Sequence, residues 1–240
     1  MLEAGSARLD FKTEVDWHES HKMLRTAFPV NVFSQEASFD IQYGYVKRSM
    51  HENTARDFAQ FEVVGQRYAD VSELNGGVAL LNDCKYGYKV KNSVLDLNLL
   101  RSPKNPDSTA DQGRQVFTYA FLPHGGSLVN SDVMAQAALV NRAPYIMDGC
   151  GMGKAPVCSL DSDNVTLEVV KKAEKEDCIV IRMLETKGEA ANAVLNLNGS
   201  YKVIGTNLME WTEEEEYAVF DGKVALDFKP FELKTLKLKA

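Results

Sequence analysis

Cysteine is scarce in this chain of 240 residues: Cys84, Cys150, Cys158 and Cys178 lie far apart, and none belongs to a Cys-x-x-Cys pair. That spacing excludes a zinc ribbon, a redox dithiol and a dense disulfide framework, and it predicts reduced, mostly buried thiols. Long apolar runs are missing as well, and Met1-Leu2-Glu3-Ala4-Gly5 does not open a basic region followed by an apolar one. The expectation is a cytoplasmic chain with no membrane partner. Positive charge is in deficit: 27 Lys and Arg, scattered rather than clustered, stand against 34 Asp and Glu, for a net charge of −7. Nucleic acid needs a concentrated positive face, so it is not expected as a partner. Small neutral ligands and proteins remain. With 45% apolar residues the composition is globular, and a chain of this length buries roughly 70% of the surface that it exposes when unfolded.

Helical patterning is nearly absent too. Only Ser131 to Val140 reads as helix, with Ser131 as a cap, alanines in the interior and Pro144 beyond the end. What recurs instead is alternation with period two, which places apolar side chains on one face of a pleated strand. Ala37, Phe39, Ile41, Tyr43 and Tyr45 show it, as do Leu95, Leu97 and Leu99, then Val224, Leu226 and Phe228, followed by Leu236 and Leu238. Phe11 to Trp17 is also strand-like. Asn75-Gly76-Gly77, Gly125-Gly126, Asn198-Gly199 and Asp221-Gly222 supply turns between these stretches, so half-buried antiparallel strands in a sandwich are predicted. A composition shift at residues 149 to 163 suggests two domains, 1–155 and 163–240.

Few constellations carry chemistry. His18-Glu19-Ser20-His21 has its histidines three apart in a strand or loop, whereas a zinc-protease helix needs them four apart. It reads as a polar strand end anchored by Trp17. Gly149 to Lys154 resembles a phosphate loop but is one residue short, with Ala155 where a magnesium-binding Ser or Thr belongs, and it reads as a linker. Glu213 to Glu216 is expected in solvent. No Gly-x-Ser-x-Gly elbow occurs, and His18, His21, His51 and His124 single out no nucleophile and base pair.

A dense middle segment is more informative. Asn82-Asp83-Cys84-Lys85-Tyr86-Gly87-Tyr88 follows an apolar run, and Leu99-Leu100-Arg101-Ser102-Pro103 ends a strand before Asp111-Gln112-Gly113. Asn82, Asp83, Tyr86 and Arg101 therefore gather at strand ends. Such groups hydrogen-bond sugar hydroxyls and stack on sugar faces, although the same mixture also suits capped turns and buried ion pairs.

At these residues the sequence resembles the C-terminal half of the α-mannosidases of glycoside hydrolase family 38, close to the cytosolic and vacuolar branch. Five segments carry the resemblance: Glu14 to Glu19 with Leu24 to Pro29; Phe61-Glu62-Val63; Leu80 to Tyr88; Leu99 to Pro103 through Asp111-Gln112-Gly113 and Phe117-Thr118-Tyr119 to Pro123-His124; and Phe228 to Leu236. The resemblance implies an all-β architecture, a galactose-mutarotase-like β-supersandwich followed by a small β-sandwich domain. It also implies that the attacking Asp and the zinc ligands of a retaining α-mannosidase belong to an N-terminal catalytic domain outside the matched segment. In keeping with that, each of the four histidines lacks an Asp two positions later. No catalytic residue, metal ligand or cofactor is expected in this chain, and zinc only in the implied full-length enzyme, whose substrate would be an α-mannoside oligosaccharide. The C-terminal half would buttress the catalytic domain and bring the loop Asp107 to Arg114 to its cleft, with Asp111, Gln112 and Arg114 reaching substrate. The competing reading of that loop is a turn locked by Asp111 accepting backbone N–H bonds. For the chain as a whole, the alternatives are an independent carbohydrate-binding or scaffold module and a mutarotase-like enzyme with a Glu base and a His acid. An apolar patch near Trp17, Phe28 and Phe33 is expected to face solvent.

Overall fold

A computed structural model of the chain describes residues 1–142, 144, 145, 148 and 155–240. The loop Gly149 to Lys154 lies outside the described residues, as does Cys150. Two compact units are present, Met1–Ile146 and Met147–Ala240.

In the first unit the order is β1 (Leu9–Trp17), β2 (Met23–Pro29), β3 (Glu36–Ile41), β4 (Gly44–Ser49), α1 (Ala55–Ala59), β5 (Val63–Val64), β6 (Tyr68–Ser72), β7 (Gly76–Asn82), β8 (Gly87–Lys91), β9 (Val94–Arg101), β10 (Gly113–Gly125) and α2 (Val133–Asn141). Strands β1-β10-β7-β6-β3-β4 form one sheet and β2-β9-β8-β5 the other. The all-β expectation holds. The core lies between the sheets: Ala37, Phe39, Val71, Leu80 and Phe117 from the first meet Tyr88, Val90, Leu95, Leu97 and Leu99 from the second. Leu95, Leu97 and Leu99 point inward from β9 while Asp96 and Asn98 take its other face, as the period of two requires. Truncating a fully buried residue such as Leu97 to Ala would cost about 2–5 kcal/mol.

Two expectations need correction. The alternation from Ala37 to Tyr45 is a hairpin, not one strand: Ile41 pairs with Gly44 across a two-residue turn in which Tyr43 has φ 59° and is exposed. Trp17 and Phe28 are not on an open patch. Both pack against the core, and Phe28 lies 5.7 Å from the ring of Phe11 and 5.0 Å from that of Phe121; only Phe33 faces solvent, at 83% exposure. Cys84 is exposed, whereas Cys158 and Cys178 are buried.

The outer face of the six-stranded sheet is apolar as well, because α2 covers it. Val133 and Ala137, one helical turn apart, pack on Ala79, Leu81, Ala120 and Leu122. Helix α2 starts two residues later than the pattern suggests. The hydroxyl of Ser131 accepts from the Val133 N–H at 3.3 Å but donates to the Leu128 carbonyl at 2.8 Å, closing a 3-10 turn, Leu128–Asn130, that precedes the helix.

The second unit contains β11 (Cys158–Asp161), β12 (Val165–Lys172), β13 (Ile179–Glu185), β14 (Ala191–Leu197), β15 (Lys202–Thr206), β16 (Glu213–Tyr217), β17 (Lys223–Phe228) and β18 (Leu233–Lys239). Its sheets are β11-β14-β17 and β12-β13-β18-β15-β16. Leu195, Val224, Leu226 and Phe228 from one meet Ile181, Met183, Leu236 and Leu238 from the other. Glu213 to Glu216 are exposed as expected, and they belong to the edge strand β16. Four carboxylates along an edge discourage pairing with another chain.

Candidate functional site

Among the connections that cross between the two sheets of the first unit are Trp17 to Met23, Asn82 to Gly87, and Arg101 to Gly113. Because β2 pairs with β9 through Met23 and Arg101, β8 with β9 through Gly87 and Asn98, and β1 with β10 through Trp17 and Gly113, all three lie at the same end of the sandwich. Every sequence-predicted site residue sits in or beside one of them.

A crossover has no strand ladder to satisfy its backbone, so side chains do it. Ser102, 1% exposed, ties two crossovers together. Its hydroxyl accepts from Trp17 Nε1 at 2.6 Å, its carbonyl from the His21 N–H at 2.9 Å, and its N–H donates to the Lys22 carbonyl at 3.1 Å. Asp111, with φ 61°, accepts the Arg101 N–H at 2.7 Å. Gln112 Nε2 donates to the Glu19 carbonyl at 2.7 Å. Within the same loop, the backbone and hydroxyl of Thr109 donate to Asp107 and hold its carboxyl below the usual carboxylate range. Arg114 Nε meets Glu14 Oε1 at 2.7 Å, in a pair whose side chains are 71% and 61% exposed.

In the third crossover Asp83 accepts the Thr118 N–H at 2.8 Å and returns its own N–H to the Thr118 carbonyl. Lys85 Nζ lies 4.3 Å from the centre of the Phe117 ring. Partial burial and then the Asp83 carboxylate push the Cys84 thiol up to about 11, so it stays protonated at neutral pH. Tyr86 is 58% exposed.

The structure thus brings Arg101, Asp111 and Gln112 together beside the Trp17 to Met23 crossover, holds Asp83 against Thr118, five residues further along β10, and places Tyr86 beside Gly65, whose N–H its carbonyl accepts. Asn82 requires a correction. It is buried, donates to the Gln66 carbonyl at 2.9 Å and to the Tyr88 hydroxyl, and accepts the Lys85 N–H at 2.6 Å. Its amide is fully used by the turn, so it meets no ligand. Ser102 and Trp17 were not predicted as parts of this rim; the only available signal was their position at two strand ends.

Comparison with known proteins now gives the family. Residues 1–109 match the glycosyl hydrolases family 38 C-terminal domain, and residues 164–236 match the glycosyl hydrolases family 38 C-terminal beta sandwich domain. The chain belongs to the C-terminal region of glycosyl hydrolase family 38. It is 39% identical to alpha-mannosidase 2C1 of Homo sapiens over 99% of its own length and 24% of that protein's. Against alpha-mannosidase G of Dictyostelium discoideum it is 36% identical over 97% of the chain and 22% of the relative. The alpha-mannosidase of Saccharomyces cerevisiae is 34% identical, with 99% and 24% covered. The chain therefore spans about a quarter of the length of these relatives. Its fold is that of an alpha-mannosidase crystal structure from Enterococcus faecalis, with a TM-score of 0.78 at 19% identity over 98% of this chain and 28% of that one.

Proposed function

We propose that this family 38 C-terminal region is the part of a zinc-dependent, retaining α-mannosidase that carries neither the nucleophile nor the metal, and that it works on terminal α-mannose of oligosaccharides by buttressing a catalytic half and lending a loop to its cleft. The observation that carries the reading is collinearity: nearly the whole chain aligns with a quarter of each of three alpha-mannosidases, in two successive C-terminal domains. Among the described residues no group of three or more His, Cys, Asp or Glu could hold a metal ion, so the described residues do not fit a zinc site. In this reading the ligands belong to the catalytic half.

The geometry ranks the loop residues. Asp111 and Gln112 are committed to the Arg101 N–H and the Glu19 carbonyl, and act as positioning residues. Among the described residues Arg114 is bound only by a solvent-exposed ion pair with Glu14, which contributes about 0–1 kcal/mol and is readily exchanged for sugar hydroxyls. The exposed side chains of Arg101 and Tyr86 are likewise available. The test has two arms. Arg114→Met or Arg101→Met in the full-length enzyme should lower kcat/KM on an oligosaccharide more than on an aryl α-mannoside; unchanged efficiency on both would refute substrate contact. The isolated chain should not hydrolyse the aryl α-mannoside, and enzymatic turnover by it would overturn the whole reading.

A further inference from the structure

At the other end of the same sandwich, on the outer face of the six-stranded sheet, a cleft of about 360 Å³ opens between β3, β4, the β6–β7 turn and the 3-10 turn at Leu128. Strand β7 runs between the two ends, so six steps of strand, about 20 Å, separate this cleft from the crossovers. The volume is at the small end of the range of about 300–1,000 Å³ for small-molecule sites, suited to one sugar ring.

Its polar groups are arranged in advance. Ser38 is only 7% exposed, and its hydroxyl, which lines the cleft, has no hydrogen-bond partner among the described residues. The hydroxyl is open to water in the cleft, and a ligand hydroxyl can take that water's place. Ser72 has its proton committed to Asp70, which is fixed in turn by His124 Nε2 at 2.8 Å, so Ser72 presents an acceptor. Glu73 gives one carboxylate oxygen to the Phe33 N–H at 3.0 Å, and the other has no partner among the described residues. Lys47 forms no ion pair among the described residues and supplies donors. Leu74 and Leu128 add apolar wall.

Donors and acceptors are therefore mixed within one small space. An anion would face the carboxylates of Glu36 and Glu73, and a cation would face Lys47. A neutral ligand whose hydroxyls both donate and accept, and whose C–H face can lie on Leu74 and Leu128, satisfies all of them. We infer that this cleft binds a single hexose unit. The inference does not depend on the mannosidase reading, because it rests on residues away from the crossovers and involves no hydrolysis.

The test is an amide NMR titration of the full chain with methyl α-D-mannopyranoside and, separately, methyl α-D-glucopyranoside, with glycerol as a small-polyol control. Saturable shifts at Ser38, Lys47, Ser72 and Leu128 with at least one glycoside, stronger than with glycerol, are expected. Ser38→Ala or Lys47→Ala should weaken that binding by about tenfold, the loss of one well-formed hydrogen bond. Should Ser38→Ala fail to fold, Lys47→Ala alters only an exposed side chain and decides alone. The proposal is overturned if neither glycoside gives saturable shifts, if glycerol does as well, if the shifts lie at Tyr86 and Arg101 instead, or if binding is unchanged in the variants that fold. None of these results bears on hydrolysis by the full-length enzyme, so the two readings fail separately.

Discussion

Asp70 and His124 form the most deeply buried ion pair of the first unit, with side chains 1% and 2% exposed and Nε2 to Oδ1 at 2.8 Å. Ser72 donates to the second carboxylate oxygen, and Gly77 leaves the space the imidazole occupies, since a Cβ there would lie 2.7 Å from Nε2. Asp70→Ala removes the carboxylate and leaves the imidazole Nε2 and the Ser72 hydroxyl without that partner. Breaking a buried pair in this way costs about 3–5 kcal/mol; the imidazole can relieve part of this by losing its proton, so about 3 kcal/mol is expected. For a unit of this size that lowers Tm by roughly 6–12 °C. Asp70→Asn keeps the hydrogen bonds and removes the charge, and should cost about half as much. The measurement is urea unfolding followed by fluorescence in a Trp211→Phe background, where Trp17 alone reports on the first unit. The pH dependence has a definite sign. Burial works against a charged His124, but the hydrogen bond and charge of Asp70, with the Gly125 carbonyl and Asp132, outweigh it and raise its pKa above the ordinary 6.5. A raised folded value means that the pair's contribution is complete below the unfolded value and is lost as pH rises through the folded one. The advantage of wild type over Asp70→Asn should therefore be largest below the ordinary histidine value and shrink as pH rises above it. A cost for Asp70→Ala under about 0.5 kcal/mol, or an advantage that grows with pH, would refute the reasoning.

In the second unit Glu185 is 0% exposed, and its carboxylate accepts the N–H groups of Lys187, Gly188 and Phe231 at 2.8 Å each and of Glu189 at 3.3 Å. Glu185→Gln turns an NH2 toward donors and should destabilise that unit by about 2–4 kcal/mol, read by calorimetry and by faster amide exchange at Gly188 and Phe231; unchanged exchange would show that the hub is dispensable. Glu176 accepts from Lys237 and Lys239, which hold its carboxyl down to about 2, and Lys237 is itself 1% exposed. A depressed folded value gives stability that is present above the ordinary Glu range and lost as pH falls through about 2. Glu176→Gln should thus be less stable than wild type at neutral pH, with the difference closing in strong acid; a difference independent of pH would remove the pair from the account.

Strands β1, β9 and β17 were legible because each is half buried, so that the two faces of the sheet write two kinds of residue into alternate positions. The same rule failed at Tyr43, where alternation continues through a turn whose two central residues, Gln42 and Tyr43, are not glycine. Helix α1 is too short for periodicity to show, although its cap was readable: Thr54 accepts the Asp57 N–H at 3.1 Å and donates to the Asp57 side chain at 2.7 Å, a Thr-x-x-Asp pattern. Strand β16 was illegible because an edge strand exposed along its whole length carries no burial pattern. In the candidate site, position at the strand ends was readable and the division of labour was not, since a sequence shows that Asn82 is polar but not that the buried hydroxyl of Tyr88 stands beside it.

That division follows from reach. At a crossover the nearest unsatisfied groups are the chain's own N–H and C=O, and the short side chains of Asn82, Asp83 and Asp111 extend far enough to meet these, while that of Ser102 meets the Trp17 indole. Their hydrogen bonds fix the path of the backbone. Arg101, Arg114 and Tyr86 are longer, so their functional ends pass beyond that local network and stay exposed. A ligand arriving at this end of the sandwich therefore meets guanidinium and phenol groups held by a frame of aspartates and a serine. Substitutions in the frame should act first on loop conformation, and substitutions of the long side chains first on affinity, which is why Arg114→Met, not Asp111→Ala, is the informative change for substrate contact.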